Sequence, residues 1–195
     1  MVFERAIIDL DKLKPHGIEM WLHSIRRYQF ASSFVRATDS VLDLCCGTGY
    51  GTSILSQSGD YVLGLEKSAE AVKYARKKYP YCFFENEDIT EYGYQVSFDV
   101  ITMFECLDHL KKEDGLIVLE KASVICKEAM LLSLPQDQKF NTNSYHLAEW
   151  SDTELKEELH KCFSIVLTFG QSWSTGQIVY PYDERRSMTI FVGIK

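Results

Sequence analysis

The stretch Ser40-Val-Leu-Asp43-Leu-Cys45-Cys46-Gly47-Thr48-Gly49-Tyr50-Gly51 decides the fold. Residues 40–45 are a short apolar run that meets a cluster of glycines at every second position. Glycine lets the backbone turn sharply and approach a ligand closely, where a Cβ would obstruct. The segment reads as a strand, a tight turn and a helix over about residues 48–58.

The same pattern recurs downstream. Residues 61–65 read as a strand ending at Glu66, and Ser68 caps a helix over about 69–79, with Pro80 just beyond its end. A short strand over 81–84 precedes Glu87-Asp88-Ile89-Thr90. Residues 98–104 form an apolar run ending at Glu105, followed by a helix over about 112–126. A strand over 129–134 stops at Pro135, and Ser151 caps a helix over about 152–161 with Glu154 in the capping-box position. Strands over 163–169 and 188–194 close the chain. Upstream, Ile18, Trp21, Leu22, Ile25, Tyr28 and Phe34 recur at roughly helical spacing. Strands alternating with helices of this length predict a doubly wound α/β fold with a mostly parallel sheet. The organisation is a single domain over 1–195, with 1–38 an N-terminal helical lid or substrate segment and 39–195 the core. In such sheets the ligand lies beyond the carboxyl ends of the strands, so the residues just after each strand are where function is sought.

Composition bounds the rest. The 195 residues are 46% apolar and 25% charged, which suits one soluble globular domain. The net charge of −7 disfavours a nucleic-acid partner, because that affinity comes from neutralising phosphates. The basic run Lys73–Lys78 lies on a predicted helix and reads as a solvated face. The six cysteines contain no CxxC pair. Most lie in apolar runs, where a free thiol behaves as a small hydrophobe, and this points to a reduced, cytoplasmic setting. The opening MVFERAIIDLDKLK alternates charge with apolar residues and does not read as a signal peptide. Residues 162–182 carry no charged side chain, yet their glycines, proline, hydroxyls and glutamines read as strand and loop, so no membrane partner is expected.

Spacing discriminates between cofactors. The dinucleotide fingerprint GxGxxG would need a third glycine where Thr52 stands, so it fails. DLCCGTGYG instead resembles motif I of the class I S-adenosylmethionine-dependent methyltransferases. Glu66 supports this, because a carboxylate at that strand end can accept hydrogen bonds from both ribose hydroxyls of an adenosine. The resemblance implies that Asp88 reads the adenine amino group and that Ile89 packs on the ring. It also implies that the backbone around Phe104-Glu105 flanks the methionine part. The cofactor-binding set is then Asp43, Cys45, Gly47, Gly49, Tyr50, Glu66, Lys67, Asp88, Ile89 and Phe104. The family has a seven-stranded sheet whose last strand is antiparallel, here 188–194. Arg27-Tyr28-x-Phe30-Ala31 is similar to the RYxFA stretch of methyltransferases from surface-glycan clusters, which makes Tyr28 a cover for the cofactor or a plain packing residue.

Methyl transfer is an in-line displacement, so the protein must place a nucleophile and, for a weak acid, remove its proton. His109 and His146 lie on catalytic-edge loops, and imidazole titrates near working pH, which makes both candidate general bases. SLP…YHLAEW…TEL resembles the HxxEWxxxEL segment of small-molecule, glycan and quinol O-methyltransferases. Glu105-Cys-Leu-Asp108-His109 also resembles the ExxEH motif of quinol and small-RNA 2′-O-methyltransferases, with Asp108 in place of the second Glu. That resemblance implies a divalent metal held by Glu105, Asp108, His109 and His146; metal-free acid–base chemistry is favoured over it. Amino-methylating DNA enzymes are excluded because no two prolines are adjacent, and C5-cytosine enzymes because there is no Pro-Cys pair. The expected reaction is transfer from S-adenosylmethionine to a hydroxyl of a small molecule or glycan. The rivals are a cofactor-binding module without catalysis and a metal-dependent quinol or RNA enzyme. Residues 136–150 and 171–187, with Trp150, Trp173, Tyr180 and Tyr182, are the expected acceptor walls.

Overall fold

The computed structural model of the protein describes residues 18–136, 147–172, 174–180 and 186–195. His146, Trp173 and Tyr182 therefore lie outside the described residues, as do residues 1–17 of the N-terminal segment.

The central strand β1 (Ser40–Leu44) is an apolar run because both of its faces are covered: Val41, Leu42 and Leu44 are fully buried. On one side it pairs in parallel with β2 (Tyr61–Glu66), which pairs with β3 (Phe83–Asn86). On the other it pairs in parallel with β4 (Phe98–Met103), and β4 with β5 (Cys126–Pro135). The chain thus leaves β1 in one direction and returns to start β4 in the other, so the switch point lies between β1 and β4.

Right-handed crossovers then place α2 (Tyr50–Leu55) and α3 (Ala69–Lys78) on one face, and α4 (Lys112–Ile125) on the other. The helix α1 (Ile18–Ser32) joins α2, its Tyr28 and Ala31 packing with Val41, Leu55, Val62 and Val100. Helix α5 (Asp152–His160) joins α4 on the opposite face through Leu155, Leu159 and Trp150. Ser68 and Ser151 cap α3 and α5 as their sequence positions predict, accepting from Ala71 N–H and Glu154 N–H. The Glu154 carboxylate faces Lys112 Nζ at 2.6 Å.

The remaining strands close the sheet antiparallel. β8 (Arg186–Ile194) inserts between β5 and β6 (Ile165–Ser172), antiparallel to both, as the family resemblance implies for the last strand. Among the described residues the sheet has eight strands rather than the seven expected, because the two-residue β7 (Ile178–Val179) folds back on Gly170 and Gln171 of β6.

Several boundaries move for physical reasons. β5 starts at Cys126, directly at the end of α4, so the loop expected there is absent. β6 starts two residues late because Phe163 is buried against Gly193 instead of extending the strand. Leu22, on the predicted apolar stripe of α1, is exposed, whereas Arg27 is buried on the face that meets the sheet edge.

Candidate functional site

The carboxyl ends of β1 to β4 converge on one cavity of about 310 Å³, lined by Cys45, Glu66, Lys67, Glu87, Asp88, Ile89, Cys106, His109 and Leu110. Each wall follows from local chemistry. After β1 the backbone enters the left-handed region at Cys45 (φ 59°), Gly47 (φ 57°) and Gly49 (φ 81°). A Cβ on Gly47 would meet nothing within 4 Å, so the turn presents bare backbone to open space. Gly49 serves a different need: a Cβ there would lie 2.7 Å from the Phe84 ring and 2.8 Å from Ala75 Cβ. It lets the start of α2 sit close to β3 and α3.

Glu66 ends β2 and is only 1% exposed. The Gly47 N–H donates to its Oε2 (3.1 Å) and the Ser68 N–H to its Oε1 (2.9 Å), which pins the carboxylate at the cavity wall. Asp88 is held by its own turn: its Oδ1 accepts from the Thr90 N–H at 3.0 Å and the Thr90 hydroxyl at 2.8 Å. Ile89 beside it is buried, with its apolar side chain on the cavity. Lys67 is exposed at the rim.

Asp43, Gly49, Tyr50 and Phe104 lie behind this wall rather than on it. Asp43 is fully buried, and hydroxyls of Thr52 (2.7 Å), Thr102 (2.8 Å) and Tyr28 (3.1 Å) all donate to its carboxylate. Burial raises its pKa to about 6, against the opposing pull of those three hydrogen bonds. Tyr28 meets Tyr50 and Phe104 edge-on at centroid distances of 5.4 and 5.0 Å. Burial, helped by the adjacent Asp43, also pushes the Tyr28 phenol well above its ordinary range, so it stays a donor. Asp43 therefore ties α1, α2 and β4 to β1 beneath the glycine turn.

On the far side, Leu107–His109 form a single 3-10 turn that carries His109 to the cavity, with Nε2 3.8 Å from Asp108 Oδ2. The Asp108 carbonyl accepts from Leu147 N–H at 2.7 Å, joining the residues just before α5 to this turn. Glu105 stands apart. Its φ of 49° is unusual for a side chain with a Cβ, and its carboxylate is engaged by the Arg27 guanidinium. Glu105 is thus turned toward α1, away from the grouping with Asp108 and His109 that the ExxEH resemblance implies. Among the described residues no group of three or more His, Cys, Asp or Glu is placed to hold a metal ion.

Residues 41–129 match the family model described as "Methyltransferase domain". The chain is 27% identical over 143 residues to the "Probable S-adenosylmethionine-dependent methyltransferase" of Mycolicibacterium smegmatis, covering 67% of this chain. It spans about half (54%) of that relative's length, and 28% of a second curated relative's. Magnesium protoporphyrin IX methyltransferase from Synechocystis, solved with bound S-adenosylhomocysteine, superposes with a TM-score of 0.72 at 13% identity, over 94% of this chain and 89% of that one. The N-methyltransferase NodS of Bradyrhizobium japonicum, also with S-adenosylhomocysteine, gives 0.71 at 14% identity, over 94% and 89%. The fold is the class I methyltransferase fold.

Within this methyltransferase fold the sequence reading missed two features. The first is the buried Arg27, which donates to Gln171 Oε1 (2.7 Å) and Ser24 Oγ (3.0 Å) as well as to Glu105. Gln171 and Glu105 are 144 and 78 residues away, so no local pattern marks them; only Ser24, three residues away, is near in sequence. The second is a disulfide between Cys45 and Cys106, 61 residues apart, with Cα atoms 6.1 Å apart. Cys46, Cys82, Cys126 and Cys162 do carry thiols, as expected. Trp150, an expected acceptor wall, is buried instead. Its Nε1 donates to the Leu107 carbonyl (3.3 Å), and Lys112 Nζ covers its ring at 3.6 Å. Tyr180 remains 66% exposed beside Phe169.

Proposed function

We propose that the chain transfers the methyl group of S-adenosylmethionine to a hydroxyl of a small molecule or glycan. The observation that carries this reading is the Glu66 carboxylate, buried and fixed by two backbone N–H groups at the wall of the cavity that Asp88 and Ile89 also line. A fixed acceptor at that strand end suits the paired hydroxyls of a ribose. Asp88 is an acceptor for an exocyclic amine, and Ile89 is an apolar surface for a ring. Lys67 stands at the rim, the Cys45–Gly47 backbone beside the sulfur, and Asp43, Gly49, Tyr50 and Phe104 behind the turn shape it. The cofactor supplies a sulfonium methyl that carries its own leaving group; the chain supplies position and the proton acceptor.

His109 is the candidate base: its imidazole lies on the cavity, with the Asp108 carboxylate 3.8 Å away. His146, which precedes Leu147 in the sequence, is the second candidate. Tyr180, exposed near the end of β6, suits a sugar or aromatic acceptor. The acidic chain, at −7, suits neither an RNA nor a DNA acceptor.

Calorimetric titration with S-adenosylhomocysteine tests the reading. Micromolar binding is expected, weakened by Glu66→Ala and by Gly49→Val. Unchanged affinity in both variants would refute the site. Product formation with hydroxyl-bearing and amine-bearing acceptors, analysed by mass, then separates oxygen from nitrogen as the accepting atom.

A further inference from the structure

We propose that Cys45 and Cys106 are a site of reversible oxidative modification built into the donor cavity, and that their oxidation weakens donor binding. The inference rests on the cavity being the S-adenosylmethionine site.

The two sulfurs come from the loops after β1 and β4, the strands that flank the switch point. Those strands are hydrogen-bonded neighbours, with Val41 opposite Val100 and Asp43 opposite Thr102. The pair therefore stays close when reduced, and closing or opening the bond requires movement of the two loops only. Both cysteines line the cavity, yet they differ in access: Cys45 is partly exposed and Cys106 fully buried. An incoming sulfur reaches Cys45 first, and Cys106 is the resolving partner behind it.

The other cysteines are not so arranged. Cys46 packs away from the cavity, near Gly64 and with Val72, Ala75 and Phe84. Cys126 stands at the opposite end of the sheet, at the start of β5, where burial raises its thiol to about 12 and keeps it protonated.

The exchange balances with a low-molecular-weight disulfide such as glutathione disulfide as oxidant. The Cys45 thiolate attacks one sulfur of that disulfide, forming a mixed disulfide and expelling one glutathione thiolate. The Cys106 thiolate then attacks the Cys45 sulfur and expels the second. The protein pair loses two electrons, the glutathione disulfide gains them, and the two thiol protons end on the two glutathiones. Excess dithiol reductant runs the same steps backwards.

The effect on binding follows from the space available. With the two loops tied, the turns that carry Cys45 and Cys106 are held with their Cα atoms 6.1 Å apart across the cavity that both residues line. Cutting the tie lets the β1 and β4 loops part.

The full chain is reduced, exposed to glutathione disulfide, its remaining thiols trapped, and the peptides mapped by mass. Each form is then titrated with S-adenosylhomocysteine. The expected result is a Cys45–Cys106 pair that dithiothreitol reverses, with the reduced form binding about tenfold more tightly or better. Cys106→Ser should bind the same with and without oxidant, and Cys45→Ser provides the same control if Cys106→Ser does not fold. If the pair does not form, or forms and leaves affinity within about twofold, the proposal is overturned. If the pair forms reversibly and neither form binds, the donor reading of the cavity fails; the oxidation site stands and its effect on binding does not.

Discussion

The two halves of the sheet are built differently. In the half from β3 to β4, the site is made of backbone turns and of carboxylates held by near neighbours: Glu66 by Gly47 and Ser68, Asp88 by Thr90. In the half from β5 to β7, the corresponding edge is held by contacts between distant segments. Arg27 of α1 reaches Gln171 of β6 and Glu105 after β4, and Gln171 Nε2 returns to the His23 carbonyl at 2.8 Å. The first half suits a ligand that is the same in every cycle, gripped by groups that need no adjustment. The second half is closed by Arg27 of α1 and Gln171 of β6, whereas Tyr28 of the same helix packs against the glycine turn. This division of contacts is the physical sense in which one methyltransferase fold serves many acceptors.

The largest expected effect crosses the division. His109→Ala should lower turnover with an accepted hydroxyl substrate by about 10²- to 10⁴-fold while S-adenosylhomocysteine affinity stays near its original value. Equal loss of both would make His109 part of donor binding and move it into the first half.

Gly49→Val should follow. The left-handed backbone at φ 81° and the approach to Phe84 together predict about 2–4 kcal/mol of lost stability in denaturant melts. A variant as stable as the original would mean that the turn is looser than its geometry implies.

Arg27→Ala tests the other half. It strips Gln171 and the half-exposed Glu105 of a partner, and about 1–3 kcal/mol of stability should be lost, with donor affinity little changed. Strong loss of donor affinity would show that the two halves are not separable.

Asp43 predicts a pH dependence. Its folded pKa, about 6, lies above the ordinary 3.8, so the folded state holds this proton more tightly than the unfolded chain does. That contribution is present below about 3.8, falls away as pH rises to about 6, and is flat above. Relative to Asp43→Asn, the original protein should therefore lose on the order of 2–3 kcal/mol across that window, read from unfolding curves. The smallest effect belongs to Tyr180→Ala, within about 0.5 kcal/mol in stability because the ring is exposed, so any change in acceptor KM reports contact with substrate.

Much of the first half was legible because its signals are local. A glycine turn after an apolar run and Asp88 after the third strand depend on neighbours within a few residues, and Glu66 at the second strand end is held by Ser68 two residues on and by Gly47 nineteen residues back. Their order along the chain became their order around the cavity. The sequence marks Asp43 as a residue of the cofactor turn, and the structure adds that its carboxylate lies beneath the turn with Tyr28, Thr52 and Thr102. Spacing marks a position on a strand but not which hydroxyls converge on it from elsewhere. Residue type and loop placement suggest Trp150 as an acceptor wall but do not reveal that Gly115 and Lys112 enclose it.

By itself the chain determined the alternation of strands and helices, the site of the glycine turn and the acidic strand ends, since apolar periodicity and glycine conformation act within a few residues. Only the tertiary structure decided that Arg27 would be buried against Gln171 and Glu105, and that Cys45 and Cys106 would be bonded. Such contacts join segments from about 60 to more than 140 residues apart, and they exist only where the whole sheet brings those segments to one edge.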